Sequence, residues 1–358
     1  MLDVFPNVRV YRPVYRSGVL FVASDAPLPI EETAARAIAA SRDTFGGAGV
    51  QAPEDVAAAI ALDEEGSRRF AAGYPPSTDD RNLFQSSATI LSPLWYQGGD
   101  ALLSPLDPLP RLAASLDRVY LVRRLVSDFD LGRVRRLALT YTDPAEQQAS
   151  AGILALASDQ LPEAERLLRT ALDQKADNYA ARMTLVRFYR DRLLGGDAEV
   201  AALAAALPEP AATVVEGWRL EARRDWDALR QLEPRFTGIA VQDPAYPDAQ
   251  RLRARWRLES GDRALLEEGV SVIDLRLLPM SLSPDDVILR ARFSAKLGNA
   301  AAALSALSHA TEWTTRSAGA RTAARVREVL PLIPPAPEVA RFRSILERRV
   351  GYQQAQAP

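Results

Sequence analysis

The chain has 358 residues, 47% of them hydrophobic and 25% charged, enough for two or three domains with packed cores. Its 44 Lys plus Arg and 46 Asp plus Glu leave a net charge of -2, which argues against a dedicated nucleic-acid binder or a polybasic membrane surface. Cysteine is absent and His309 is the only histidine. That excludes disulfide frameworks, thiolate zinc sites and cysteine nucleophiles, and leaves a catalytic triad or a histidine metal site almost nothing to work with. No catalytic residue, cofactor site or metal site is therefore assigned. Met1 to Val10 has no cationic region followed by an apolar core, and no run of about 18 apolar residues exists to span a bilayer. The expected location is cytoplasmic, or peripheral to the inner membrane through a partner.

In chain order, Asn7–Arg12 and Gly18–Ser24 are rich in Val, Tyr, Phe and Leu and are separated by Pro13 and Arg16-Ser17-Gly18. They read as two strands joined by a loop. In the first, Val8 and Val10 alternate with Arg9 and Tyr11, so one face is apolar. The second is apolar on both faces, as a strand buried in a two-sided sheet would be. Helical spacing begins at Ile30 and runs to Ser41, with Glu31 and Glu32 in the favourable first turn. Gly46-Gly47-Ala48-Gly49 reads as a break. A helix then starts after Pro53 and runs to about Leu62, and a third covers Glu64–Ala72. Tyr74–Arg81 is a polar loop.

Pro93, Pro105, Pro108 and Pro110 forbid long regular elements between them. Helices are expected at Leu112–Ser127 and Leu131–Thr140, with Asp128 and Asp130 capping the second. Arg123, Arg124, Arg133, Arg135 and Arg136 make this the most basic stretch. It reads first as a solvated helix face and second as a face for an anionic ligand.

From about Asp143 the chain repeats. A tetratricopeptide pattern of 34 residues places small residues at positions 8 and 20 and larger apolar ones at 24 and 27. One unit puts Gly152 at 8, Ala164 at 20, Leu168 at 24 and Ala171 at 27. The next puts Ala198 at 20, Ala202 at 24 and Ala205 at 27. A later unit starting at Pro284 puts Ala291 at 8, Gly298 at 15, Ala303 at 20, Leu307 at 24 and Ala310 at 27. Residues 247–278 fit loosely, with Ala254 at 8 and Gly261 at 15. Residues 211–235 fit worst, although Trp218–Arg223 and Trp226–Gln231 suggest a helix pair. Paired helices cross closely at 8 and 20, where only small residues let the backbones approach. The expected fold is mostly α: a tetratricopeptide-like helical solenoid with a small N-terminal α+β module, a β-hairpin plus helices.

Three short stretches carry a resemblance. Val4-Phe5-Pro6-Asn7-Val8-Arg9-Val10-Tyr11-Arg12 resembles a late strand of bacterial spermidine-synthase-like proteins, the polyamine aminopropyltransferases. Gly18–Ser24 followed by Pro27-Leu28 resembles that family's last strand, and Ser77-Thr78-Asp79-Asp80-Arg81 resembles its TDDRP loop, with Asn82 in place of the usual Pro. The resemblance covers about a quarter of the chain. It implies a Rossmann-like methyltransferase fold and amine attack on the aminopropyl group of decarboxylated S-adenosylmethionine. The Gly-rich turn, ribose-binding acid and aspartate base of that chemistry would all lie upstream of these strands. Gly46-Gly47-Ala48-Gly49 sits between helices and Gly98-Gly99-Asp100 follows no convincing strand, so both are weak as nucleotide loops. The resemblance therefore implies a C-terminal remnant that needs either the helices of 30–72 folded over it or a partner chain to supply the rest of its sheet, and residues 1–25 are expected to pair with a catalytic partner chain or a second copy.

The expected organisation is a spermidine-synthase-like remnant at 1–92, a Pro-rich linker and basic helices at 93–142, repeats at 143–316, capping helices at 317–350 and a frayed tail at 351–358. Asp79 and Asp80 read as a structural loop, or as a substrate-amine contact at the edge of a partner's active site. His309 reads as packed or on the surface. Trp218, Trp226, Trp256 and Tyr189 are expected to fill the superhelix or line its concave face. Arg219, Arg223, Arg253 and Arg257, with Trp218 and Trp256, form the candidate partner-binding face, because arginines one turn apart recognise peptide carboxylates. The alternative for these arginines is a solvated face. The functional expectation is a protein-interaction scaffold that is not catalytic alone. The alternative is one part of an aminopropyltransferase whose nucleotide-binding half lies upstream or on another chain.

Overall fold

A computed structural model describes residues 4–12, 20–72, 103–128, 130–192, 197–241, 243–278, 283–311 and 319–356. The chain is mostly helical, with a small three-stranded antiparallel sheet near the N-terminus. It divides into two compact units, residues 1–40 with 52–121, and residues 41–51 with 122–358.

In the first unit, β1 (Asn7–Tyr11) pairs with β2 (Leu20–Ser24) in the register Asn7↔Ser24 to Tyr11↔Leu20. The two expected strands are thus present. Helix α1 (Ile30–Ala40) follows, and α3 (Pro53–Ala59) starts on its proline. The sequence reading carries this helix to Leu62, but it stops at Ala59, and Ile60–Leu62 form β3 on the other side of β1. Burial accounts for the change: all three residues are inside, and Arg12 N–H donates to the Ala59 carbonyl at 2.7 Å as β3 begins. β1 is therefore the central strand, and the edge the sequence left open on it is filled from the same chain.

Position in the sheet also inverts the expected burial. Val8 and Val10 are inside as predicted, but so is Arg9, whose Nε donates to Glu64 at 2.8 Å. In β2, expected to be buried on both faces, Leu20 and Phe21 are 58% and 52% exposed. Asp63 caps α4 (Glu64–Ala71) by accepting from Gly66 N–H. The helix expected over 112–127 is broken into α5 (Leu109–Leu112), a 3₁₀ turn at Ala113–Ser115 and α6 (Arg118–Ser127). Asp117 restarts the chain as a helix by accepting from Val119 and Tyr120 N–H. The buried carboxylates of α3 are both used: Glu54 accepts from Asp117 N–H at 2.8 Å and Asp55 from the Tyr120 hydroxyl at 2.9 Å.

In the second unit, the glycines read as a break close a short helix instead, α2 (Arg42–Gly47). Arg124 and Arg133 are buried, which corrects the solvated reading of the basic stretch at those two positions. Arg124 is satisfied by Asp128 at 3.0 Å and the Gly49 carbonyl at 2.9 Å. Arg135 remains exposed. Asp130 caps α7 (Leu131–Ala138), as the sequence reading expects, and Asp143 caps α8 (Pro144–Ala157).

Helix α8 packs against α9 (Leu161–Gln174). A Cβ on Gly152 would fall 2.7 Å from Leu168 Cγ and 3.3 Å from the Ala164 carbonyl, so the crossing admits only glycine there. Helices α10 (Tyr179–Arg192) and α11 (Asp197–Ala205) follow. Here the 34-residue register fails, because Ala198, Ala202 and Ala205 are exposed. The face turned inward is Val200, Leu203 and Ala204, continued by Leu207 just past the helix, an i, i+3, i+4, i+7 stripe whose valine and leucines bury more apolar surface than the outward alanines would.

The region that fits the repeat worst holds three helices rather than two: α12 (Ala211–Ala222), α13 (Trp226–Gln231) and α14 (Glu233–Thr237). They surround α15 (Tyr246–Ser260) in a core built on Met183, Val214, Trp218, Leu229, Phe236, Leu252 and Trp256. Helix α16 (Arg263–Val272) runs into a π-helical turn, Ile273–Leu277. The pair α17 (Pro284–Lys296) and α18 (Ala300–Thr311) turns at Gly298, whose φ of +79° is the left-handed conformation that favours glycine. Ala291, Ala303, Leu307 and Ala310 are all fully buried, in the order the pattern predicts. α19 (Gly319–Val329) and α20 (Pro337–Gln356) end the described chain. α20 continues through residues 352–356, which the sequence reading assigns to a frayed tail.

Candidate functional site

The densest chemistry in the second unit is on α15. Arg251, Arg253, Arg255 and Arg257 occur at every second position. A step of two rotates about 200° around a helix, so these side chains leave in two directions and meet different neighbours. Arg251 makes a bidentate pair with Asp286 on α17, at 2.7 and 2.8 Å, and donates to Asp248 at 2.9 Å. Asp248 also accepts from Arg187 of α10. Arg255 pairs with Glu221 of α12. Arg253 and Arg257 share Glu233 of α14, at 3.1 and 2.9 Å, and Arg257 reaches Glu268 of α16 at 3.3 Å.

Asp248 and Asp286 are 3% and 1% exposed, so the carboxylates are desolvated, whereas their partners Arg187 and Arg251 are half-buried. Burial alone would raise the Asp248 pKa, but the charges of Arg187, Arg251 and Arg190 overcome it and hold the carboxyl well below its ordinary range. Burial likewise disfavours the charged form of Arg251, and Asp286 and Asp248 restore it. The cluster is thus locked in its ionised form by mutual attraction. It holds α10, α15 and α17 in one geometry and presents matched charge rather than an excess of either sign.

The candidate face is therefore split. Trp218 and Trp256 are 4% and 5% exposed, inside the core. Arg190 stacks 4.1 Å from the Trp218 ring centre and Arg257 4.5 Å from that of Trp256. Arg253 and Arg257 are engaged with Glu233. Arg219 is half-buried and paired with Glu216 at 3.0 Å, and Arg223 is exposed one turn on. Of the six residues, only Arg219 and Arg223 face outward together. Asp79 and Asp80 lie outside the described residues. His309 is on the surface of α18. Tyr189 is buried and donates to Glu165 at 2.6 Å.

Sequence reasoning missed Asp248, Asp286, Glu221 and Glu233. A signal existed in the spacing: Glu221 precedes Arg255 by 34 residues and Asp286 follows Arg251 by 35. Among the described residues no group of three or more His, Asp or Glu is placed to hold a metal ion, and no helix is long and apolar enough to cross a membrane. A scan of protein-family models, a search of curated proteins and a search of solved structures each found no match.

Proposed function

We propose that the chain is a tetratricopeptide-like helical-repeat scaffold that binds a protein or peptide, attached to a spermidine-synthase-like N-terminal module, and not a catalyst by itself. The observation that carries this reading is the separation of three ion pairs that join α15 to α12 and to α17. Arg292 with Glu259, Arg255 with Glu221 and Arg251 with Asp286 lie 33, 34 and 35 residues apart. Such pairs are what stacked helices of a repeat of about 34 residues make with their counterparts in the next unit. The small residues at 152, 164, 291 and 303 support the same reading. On it, Arg219 and Arg223 are the two arginines of the expected face that reach the surface, where a carboxylate-bearing peptide would meet them. The test is affinity capture with the wild type beside the double variant Arg219→Glu, Arg223→Glu. A protein retained by the first and lost by the second supports the scaffold and its face. Identical capture by both removes that face from the reading.

A second reading makes the chain part of an aminopropyltransferase whose nucleotide-binding half is upstream or on another chain. The exposed Leu20 and Phe21 on β2 favour a partner pairing at residues 1–25. The scaffold reading expects no binding of S-adenosylmethionine analogues in calorimetry. Micromolar binding would move the enzyme reading ahead.

A further inference from the structure

The arginines of α15 all meet carboxylates, whereas among the described residues Arg341 and Arg348 of α20 do not. Arg341 and Arg348 are exposed, and among the described residues neither has a carboxylate at ion-pair distance; Arg348 donates only to the Ser344 carbonyl of its own helix. Arg343, also exposed, is only attracted through space to Glu347, which is already held bidentately by Arg327. Seven positions apart on a helix is nearly two full turns, so Arg341 and Arg348 stand on one face about 10 Å apart. The opposite face is the packed one, with Val339 and Leu346 buried. Residues 319–356 carry seven arginines against three carboxylates.

The α8–α9 pair has the reverse imbalance. Residues 143–177 hold seven carboxylates against three cations. At one end of the pair Lys175 is surrounded by Asp143 at 3.1 Å, Glu146 at 3.7 Å and the nearby charge of Asp177. Asp173 and Asp177 are exposed there, and no cation among the described residues pairs with either. Both imbalances belong to the second unit.

We propose that these two surfaces are the halves of a contact between copies of this chain, the basic face of α20 in one copy meeting the acidic end of α8–α9 in the next. The occupant is a second copy because the chain itself carries the complementary charge, in excess and exposed. The two halves differ, so a single contact leaves one half free on each copy, and association continues head-to-tail unless both contacts form between the same two copies. Exposed pairs are screened within about 10 Å at 0.1 M salt, so the contact weakens as salt rises.

The experiment is sedimentation velocity of the full chain over a range of concentrations at low and at high salt. Expected is an average mass that grows with concentration at low salt and returns to the monomer at high salt. Arg341→Glu with Arg348→Glu should stay monomeric at low salt, and so should Asp173→Arg with Asp177→Arg. Mixing these two variants restores opposite charge at the contact, and the mass should rise again. All four positions are exposed, and circular dichroism of each variant checks that the fold is kept. A wild type that stays monomeric at low salt overturns the proposal, even if the same face binds a poly-glutamate peptide. So does a doubly reversed α20 that associates as the wild type does.

Discussion

Between α17 and α18 the contact surface is alanine and leucine, with Ala291, Ala303, Leu307 and Ala310 all buried and the turn made by Gly298. Around α15 it is aromatic rings and ion pairs, with Trp218, Phe236 and Trp256 in the core and Arg187, Asp248, Arg251 and Asp286 paired with one another. The first kind of contact is local and non-directional. It works wherever small residues recur at the right helical spacing. The second is non-local and directional: every charge inside it needs a named partner from another helix, and none is dispensable once water has been removed.

This difference predicts that the largest cost of a single substitution lies around α15. Asp286→Ala removes both acceptors of the bidentate pair and leaves the half-buried Arg251 with only Asp248, itself shared with Arg187. Loss of one member of a buried pair costs about 3–5 kcal/mol. Denaturant unfolding measures it. A loss below about 1 kcal/mol, the range of exposed pairs, would show that water reaches the network.

The same network gives an acid dependence with a definite sign. The folded pKa of Asp248 is depressed below its ordinary value of 3.8. Its stabilising contribution is therefore complete above that value and is lost as the pH falls towards the folded value. Asp248→Asn should be less stable than the wild type at neutral pH, and the gap should narrow below about pH 4. Unfolding curves for both proteins across pH measure the gap, and a gap that stays constant to low pH would rule out the ionised carboxylate as its source.

In the small-residue pair the costs should follow volume rather than charge. Leu307→Ala opens a cavity in a fully buried position and should cost about 2–5 kcal/mol. Ala303→Leu overfills the crossing and should cost about 1–3 kcal/mol. Neither effect should depend on pH over the range where Asp248 titrates, which separates this contact from the one around α15 in a single set of unfolding curves.

The same contrast accounts for what could be read in advance. The α17–α18 pair was legible because its rule is written in local spacing: alanines one helix apart and a glycine in the turn. The two N-terminal strands were legible from their Val, Tyr and Phe runs. β3 was not, because Ile60-Ala61-Leu62 continues a helical apolar pattern and becomes a strand only through the distant β1. The arginines of α15 were visible, but their use was not. Whether Arg253 faces a peptide or Glu233 depends on where α14 lies, and no local spacing encodes that.

The sharpest check on the repeat register is the substitution expected to do least. Ala198 and Ala303 hold the same position, 20, in the 34-residue pattern, yet Ala303 is fully buried and Ala198 is exposed at the start of α11. The inward face of α11 is instead Val200, Leu203 and Ala204, continued by Leu207 just past its end. Ala198→Leu therefore adds a side chain to solvent rather than to a crossing, and leucine is nearly as good a helix former as alanine. Its effect should stay within about 0.5 kcal/mol, against about 1–3 kcal/mol for Ala303→Leu. The two variants belong in one experiment, unfolded side by side under the same conditions. If Ala198→Leu costs as much as Ala303→Leu, residue 198 is at a packed crossing, and α11 turns the face that the 34-residue spacing predicts.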